Sequence, residues 1–168
     1  MAAAIRFINP DTLSKPPSYT QVVEVTGPGR TVFVSGQLAN GRDGNLIRGD
    51  FRAQAEQVYR NLNAALAAVG GSFKDVVKIN SYLADIKDLP VLREVRARHL
   101  NAAALPASTT LGNISFAREG ALLEVEIVAA LPEKAARAQG ARKGARKAAK
   151  KSASRSAKRS GRKAKSRR

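Results

Sequence analysis

Over residues 1–133 the apolar positions switch between a period of two and a period of three to four, and each switch predicts an element. Ile5-Arg6-Phe7-Ile8 predicts a short first strand, closed by Asn9-Pro10-Asp11. A Pro-bearing loop, Lys15-Pro16-Pro17-Ser18-Tyr19, leads to a second strand at Val22-Val23-Glu24-Val25, and Gly27-Pro28-Gly29 marks a turn. Thr31-Val32-Phe33-Val34 is a β-branched and aromatic strand that ends at Ser35-Gly36-Gln37. Asp50 then stands as the N-cap of a helix whose Phe51, Ala55, Val58, Leu62, Ala65, Leu66 and Val69 share one face, with Gly70-Gly71 as its stop. Val76–Leu83 predicts a fourth strand. Asp88 is placed as the cap of a second helix, with Pro90 in its first turn and Leu89, Leu92, Val95 and Leu100 as the buried stripe. Two strands follow, about Ala107–Phe116 and Leu122–Ala129.

The order β-β-β-α-β-α-β-β mixes hairpins with crossover helices, so the fold class is α+β. Two helices cover one face of such a sheet. The other face needs a partner, which predicts an oligomer.

Charge divides the chain at Glu133. Lys134–Arg168 carries 16 of the 30 Lys and Arg and none of the 13 acids, leaving 14 bases against those 13 acids in residues 1–133. The sequence pI near 11 therefore belongs to the tail, and the body is a nearly neutral domain large enough to bury its own core. Without Cys, disulfides, thiolate nucleophiles and Cys-ligated metals are excluded. Arg6 interrupts the N-terminal apolar run, and no window approaches the ~18 apolar residues of a membrane span. These features predict a cytoplasmic protein with no membrane partner.

Candidate chemistry is sparse. His99 is the single histidine, on the second predicted helix, and is read as a packing residue. No metal cage is available from it, no Gly-rich nucleotide loop occurs, and no cofactor is expected. Glu124 and Glu126 alternate with Leu123, Val125 and Ile127, so both carboxylates share one face of the last strand. That face is either solvated or lines a cleft between subunits where a carboxylate could position a water.

Gln54…Asn61-Leu62…Leu66…Gly70, followed by Asp75-Val76-Val77-Lys78…Tyr82-Leu83-Ala84-Asp85, resembles the signature of the Rid family, the YjgF-like reactive-intermediate deaminases also known as L-PSP endoribonucleases. Ser35-Gly36-Gln37, Pro106-Ala107 and Leu123-Glu124-Val125-Glu126 match in order and spacing, so the resemblance spans about residues 5–131. It implies a chorismate-mutase-like six-stranded sheet backed by two helices, a homotrimer, and clefts between subunits that bind a small imine or enamine metabolite. Glu124 then matches the water-orienting catalytic residue, and Tyr19, Ser35, Gly36, Arg93 and Ser108 fall at the ligand cleft. The family's deaminases carry an Arg directly after the Pro-Ala, a two-point clamp on the substrate carboxylate. Here Ser108 follows, and Arg93 stands where an Asn is usual, so standard 2-aminoacrylate deaminase activity is expected to be weak or lost. Arg93 or Arg118 are the cations the sequence offers as replacements.

The tail resembles those of linker histones. Its Arg142, Lys143, Arg146, Lys147, Lys150, Lys151, Lys158, Arg159, Arg162 and Lys163 predict a disordered, sequence-blind binder of DNA or RNA, which would draw the protein to the nucleoid. Two functions stay open on the sequence. One is a Rid-type metabolite binder or deaminase; the other is a nucleic-acid-associated protein in which the trimer multiplies the tail.

Overall fold

The computed structural model describes residues 4–133; the basic positions singled out for nucleic-acid binding lie outside the described residues. The elements are β1 (Ala4–Ile8), β2 (Val22–Thr26), β3 (Arg30–Gln37), α1 (Phe51–Ala68), β4 (Val76–Leu83), α2 (Leu89–Ala97), β5 (Ala107–Leu111) and β6 (Leu123–Leu131). Their order and type are those the periodicity predicts.

All six strands are present, but their hydrogen bonding divides them. β1 pairs with β2 in an antiparallel ribbon, and the other four form a mixed sheet in the order β3-β6-β4-β5. A continuous six-stranded ladder does not form within the chain. The chain passes from β2 to β3 through Gly27, which takes a left-handed φ of 82°, and Pro28. The expected strand over 107–116 also stops early, at Leu111. Gly112 passes so close to Ile86 that a Cβ there would lie 2.5 Å from the Ile86 Cβ, and Asn113 takes a left-handed φ of 59°. The chain then crosses the end of β4, where Ile114 N donates to the Leu83 carbonyl at 3.0 Å.

The core lies between the four-stranded sheet and the two helices. Val58, Leu62 and Leu66 of α1, Leu92 and Val95 of α2, Ile79 and Leu83 of β4, and Leu123, Val125 and Ile127 of β6 are all at most 2% exposed. Each contributes roughly 1.5–3 kcal/mol by burial. Strand alternation sends the intervening residues to the opposite, uncovered face: Lys78, Asn80 and Tyr82 from β4, Glu124 and Glu126 from β6. Asp50 caps α1 by accepting from Ala53 N at 2.9 Å, and a left-handed Gly70 ends it, with Gly71 N donating to the Leu66 carbonyl at 2.9 Å. Asp88 precedes α2 but its side chain makes no capping bond. A 3-10 turn at Ile86–Asp88 runs directly into the helix, and Asp85 caps that turn instead by accepting from Lys87 N.

Two polar residues of the α1 signature are inside. Gln54, 3% exposed, donates to the Gly120 carbonyl at 2.8 Å and accepts from Leu122 N at 3.0 Å. Asn61 donates to the carbonyls of Leu38 and Asn40 at 3.0 and 2.9 Å. They tie the loop after β3 and the loop before β6 to one helix, and so set where Gly36 and Glu124 stand. His99 packs beyond α2, 4.9 Å from the Tyr59 ring and 5.0 Å from Phe73. Burial first, and the Arg98 charge second, push its pKa down, in keeping with a neutral packing role.

Gln54→Ala leaves the Leu122 N–H and the Gly120 carbonyl without their partner, so it is expected to cost about 2–3 kcal/mol in chemical denaturation. Arg60→Ala, which removes an exposed residue on the same helix, is expected to cost under about 0.5 kcal/mol.

Candidate functional site

Tyr19, Arg93 and Ser108 come together. They line a cavity of about 260 Å³ with Ser18, Leu89, Arg96 and Thr110, between α2, β5 and the loop before β2. Ser108 pairs with Ile79 in the parallel β4–β5 ladder, so its side chain shares the helix-facing side of the sheet. There it meets Arg96. Arg96 is 7% exposed, and its guanidinium donates to Ser108 Oγ at 3.1 Å and to the Ser18 carbonyl at 2.8 Å. The ion pairs among the described residues are Arg6–Glu24, Arg52–Glu94 and Arg98–Glu56, so Arg96 has no carboxylate partner there. Burial, with the Arg93 charge adding to it, lowers its pKa from the ordinary guanidinium value. The cavity is therefore lined by two cations and no anion.

Arg96 is the residue that sequence reasoning missed. Its signal was a charged side chain falling within the apolar stripe of α2, beside Leu92 and Val95. Arg118, the other replacement cation the sequence offered, is not part of this cavity. It stands near Asp43, whose carboxyl is held low chiefly by hydrogen bonds from Asn45 and to a lesser extent by the Arg118 charge.

Gly36 and Glu124 form a second group. The β3–β6 register slips between Val34 and Gln37, and the Glu124 carboxylate lies over the glycine: a Cβ on Gly36 would stand 1.8 Å from Glu124 Oε1. Only a residue without a side chain leaves the carboxylate that position. Glu124 pairs with Tyr82 across the β4–β6 ladder, and next to it Glu126 accepts from Asn80 Nδ2 at 2.8 Å and from the Tyr82 hydroxyl at 3.1 Å. The hydrogen bond to Glu126 raises the Tyr82 pKa, and burial and the charges of both glutamates add to it. Exposed Ser35 lines a separate cavity of about 200 Å³ with Phe33, Lys78, Asn80 and Glu126, so it faces Glu126 rather than the Arg96 cavity.

The two groups are apart within one chain. Glu124 is level with Tyr82 and hence with Leu111, two strands over and three residues along from Ser108. Strand spacing and rise then separate their backbones by roughly 14 Å. They also project from opposite faces of the sheet. One chain cannot bring Glu124 and Ser108 to the same small molecule. Among the described residues no three His, Cys, Asp or Glu side chains converge as a metal site would require, and no helix is long and apolar enough to cross a membrane.

Known proteins share this arrangement of strands and helices. A 2-iminobutanoate/2-iminopropanoate deaminase of Dermatophagoides farinae is 32% identical over 111 residues, which are 66% of this chain and 83% of that protein. Among solved structures, the Rid-family protein YyfB of Yersinia pestis, itself of unknown function, superposes with a TM-score of 0.67 at 31% identity, covering 76% of this chain and 98% of that one. RidA of an Antarctic Psychrobacter gives a TM-score of 0.56 at 32% identity, covering 73% and 100%. The family described as Endoribonuclease L-PSP matches residues 12–131, and with these relatives it establishes that the chain belongs to that family, the Rid proteins.

Proposed function

We propose that the protein hydrolyses small imines or enamines in clefts assembled between copies of the chain, most simply a homotrimer. The observation that carries this reading is the placement of Glu124 over Gly36 on a sheet face that neither helix covers. The Tyr19–Arg93–Ser108 cavity opens at the other edge, and the two half-sites meet only if one copy supplies each. In the reaction a water oxygen bonds the imine carbon while Glu124 takes a proton from that water. With the imine nitrogen protonated this gives a neutral carbinolamine; Glu124 returns the proton to its nitrogen, the C–N bond breaks to release ammonia, and the hydroxyl gives up its own proton to leave a carbonyl compound. Two features support association. Phe33 and Leu111 are 79% and 49% exposed, both on the uncovered face, and β3 and β5 are free edges of the four-stranded sheet.

Ser108 sets the limits of this activity. A single hydroxyl in place of a charged two-point clamp forfeits about 2–5 kcal/mol of substrate binding at that position. The smallest substrate, 2-aminoacrylate, is accordingly turned over weakly.

The tail supports a second role, because 16 bases without one acid exceed what solubility requires. Residues 134–168 bind DNA or RNA without reading its sequence, and an assembled body presents several tails to one polymer.

Three outcomes check these readings. Ammonia release from a panel of amino-acid-derived imines should fall about a hundredfold or more in Glu124→Gln on the best substrate, and Gly36→Ala, which displaces that carboxylate, should lower it as well. Unchanged rates in both would remove Glu124 from the chemistry. Light scattering on residues 1–133 should return a trimer at micromolar concentration, and a monomer would end the assembly reading. In a DNA titration, six to eight phosphate contacts per chain give a log–log salt slope of about −5 to −7. That binding should vanish on truncation after Glu133; a flat slope or undiminished binding would move the nucleic-acid site into the body.

A further inference from the structure

We infer that Arg96, projecting from α2 beneath Ser108, is the carboxylate anchor of the cleft, so that the substrates are imino or 2-oxo acids held from the helix side and not from β5. The inference rests on the deaminase reading for its reaction and names the substrate class of that site. Four observations on this chain carry it. Arg96 as a residue is 7% exposed, yet the two hydrogen bonds of its guanidinium go to neutral oxygens, Ser108 Oγ and the Ser18 carbonyl. Among the described residues no carboxylate pairs with it. It borders a cavity of about 260 Å³ whose lining holds a second cation, Arg93, and no acid. Two bonds leave part of its five-donor fork unused.

A buried charge without a counter-charge is costly, and folding alone gives no reason to keep one. An anion entering the cavity supplies the missing partner, and a carboxylate fits the planar fork at two points. Ser108 then has a defined part: a short hydroxyl admits the guanidinium from behind and orients it, where an Arg at the same position would set a second cation against Arg96. The anion is thereby drawn back toward α2 by about the reach of one Arg side chain. Such a site favours acids long enough to span from Arg96 to the water that Glu124 would hold. At ~30 Å³ per water the cavity holds about nine water-sized volumes, room for a branched acid of six carbons.

Calorimetric titration of the full chain with 2-oxo-4-methylpentanoate tests the assignment, with its neutral methyl ester as control. The acid should bind and the ester should not. Arg96→Met should weaken acid binding at least tenfold while melting at or above the wild-type temperature, since it removes an uncompensated buried charge. A residue that merely clamps the Ser18 carbonyl would instead lower that temperature. Arg96→Lys, which keeps the charge but loses the fork, should bind several-fold more weakly than wild type, and it decides the matter if the Met variant does not fold. Arg93→Gln, at the exposed rim, should lose less than Arg96→Met. Ser108→Arg should weaken binding, and the exchange Arg96→Ser with Ser108→Arg should recover it by moving the cation to β5. Wild-type affinity in the Arg96 variants, or equal binding of acid and ester, would overturn the inference. If turnover needs Glu124 while acid binding ignores Arg96, this assignment falls and the deaminase reading stands. If acid binding needs Arg96 but no imine is turned over, the anion site stands and the deaminase reading falls.

Discussion

The structure depends on a sheet that is covered on one side only. Ile79, Leu83, Leu123, Val125 and Ile127 bury one face of β4 and β6 against α1 and α2. The same alternation that drives those residues inward sends Lys78, Asn80, Tyr82, Glu124 and Glu126 outward. A slip of one residue would exchange the two sets, so the apolar stripe that stabilises the body also decides which carboxylates face away from it. The polar face is thus a consequence of the core, and any chemistry built on Glu124 is held in register by residues it never touches.

Around that sheet, side chains that look superficial on a helical projection do structural work from inside. Gln54 offers a donor and an acceptor to the backbone before β6, and Asn61 does the same service as a donor after β3. An amide can satisfy both a carbonyl and an N–H, and the segments concerned have no strand partner to do it for them. This explains on physical grounds why an α1 of only moderate amphipathicity carries these two residues at its inner surface. It also links the helix to the site, since Gly36 and Glu124 lie just beyond the tethered loops.

Stability and function pull against each other at Arg96. Tyr59, which stacks on Phe73 and His99, and the cation Arg93 lie close enough to act on its charge, and Tyr19 lines the same cavity. Among the described residues Arg96 is the charged side chain that is buried, and no carboxylate pairs with it there. Departures of that kind from apolar inside and charged outside concentrate at functional sites. Glu124 is separated from this cavity across two strands and through the sheet, so the two groups stand apart within one chain.

Local chemistry alone was enough for much of the fold. Asp50 and Gly70 bound α1 because a cap side chain and a left-handed glycine act within a few residues of themselves. β4 is legible at Val76–Leu83 because its run of apolar and β-branched residues is confined between a Gly-Gly stop and a 3-10 turn. Glu124 was legible as a candidate from alternation on β6, and Tyr19, Arg93 and Ser108 from their matching positions. What local pattern could not supply is anything decided by residues distant in sequence. The early end of β5 depends on Gly112 meeting Ile86, and the absent cap at Asp88 on the turn packed before it. The pairing of Arg96 with Ser108 joins a helix to a strand 12 positions away. On the sequence Arg96 is one of two arginines on α2. The apolar stripe marks its position, but only the contacts with Ser108 and the Ser18 carbonyl show that it is buried without a counter-charge, a property of three-dimensional surroundings.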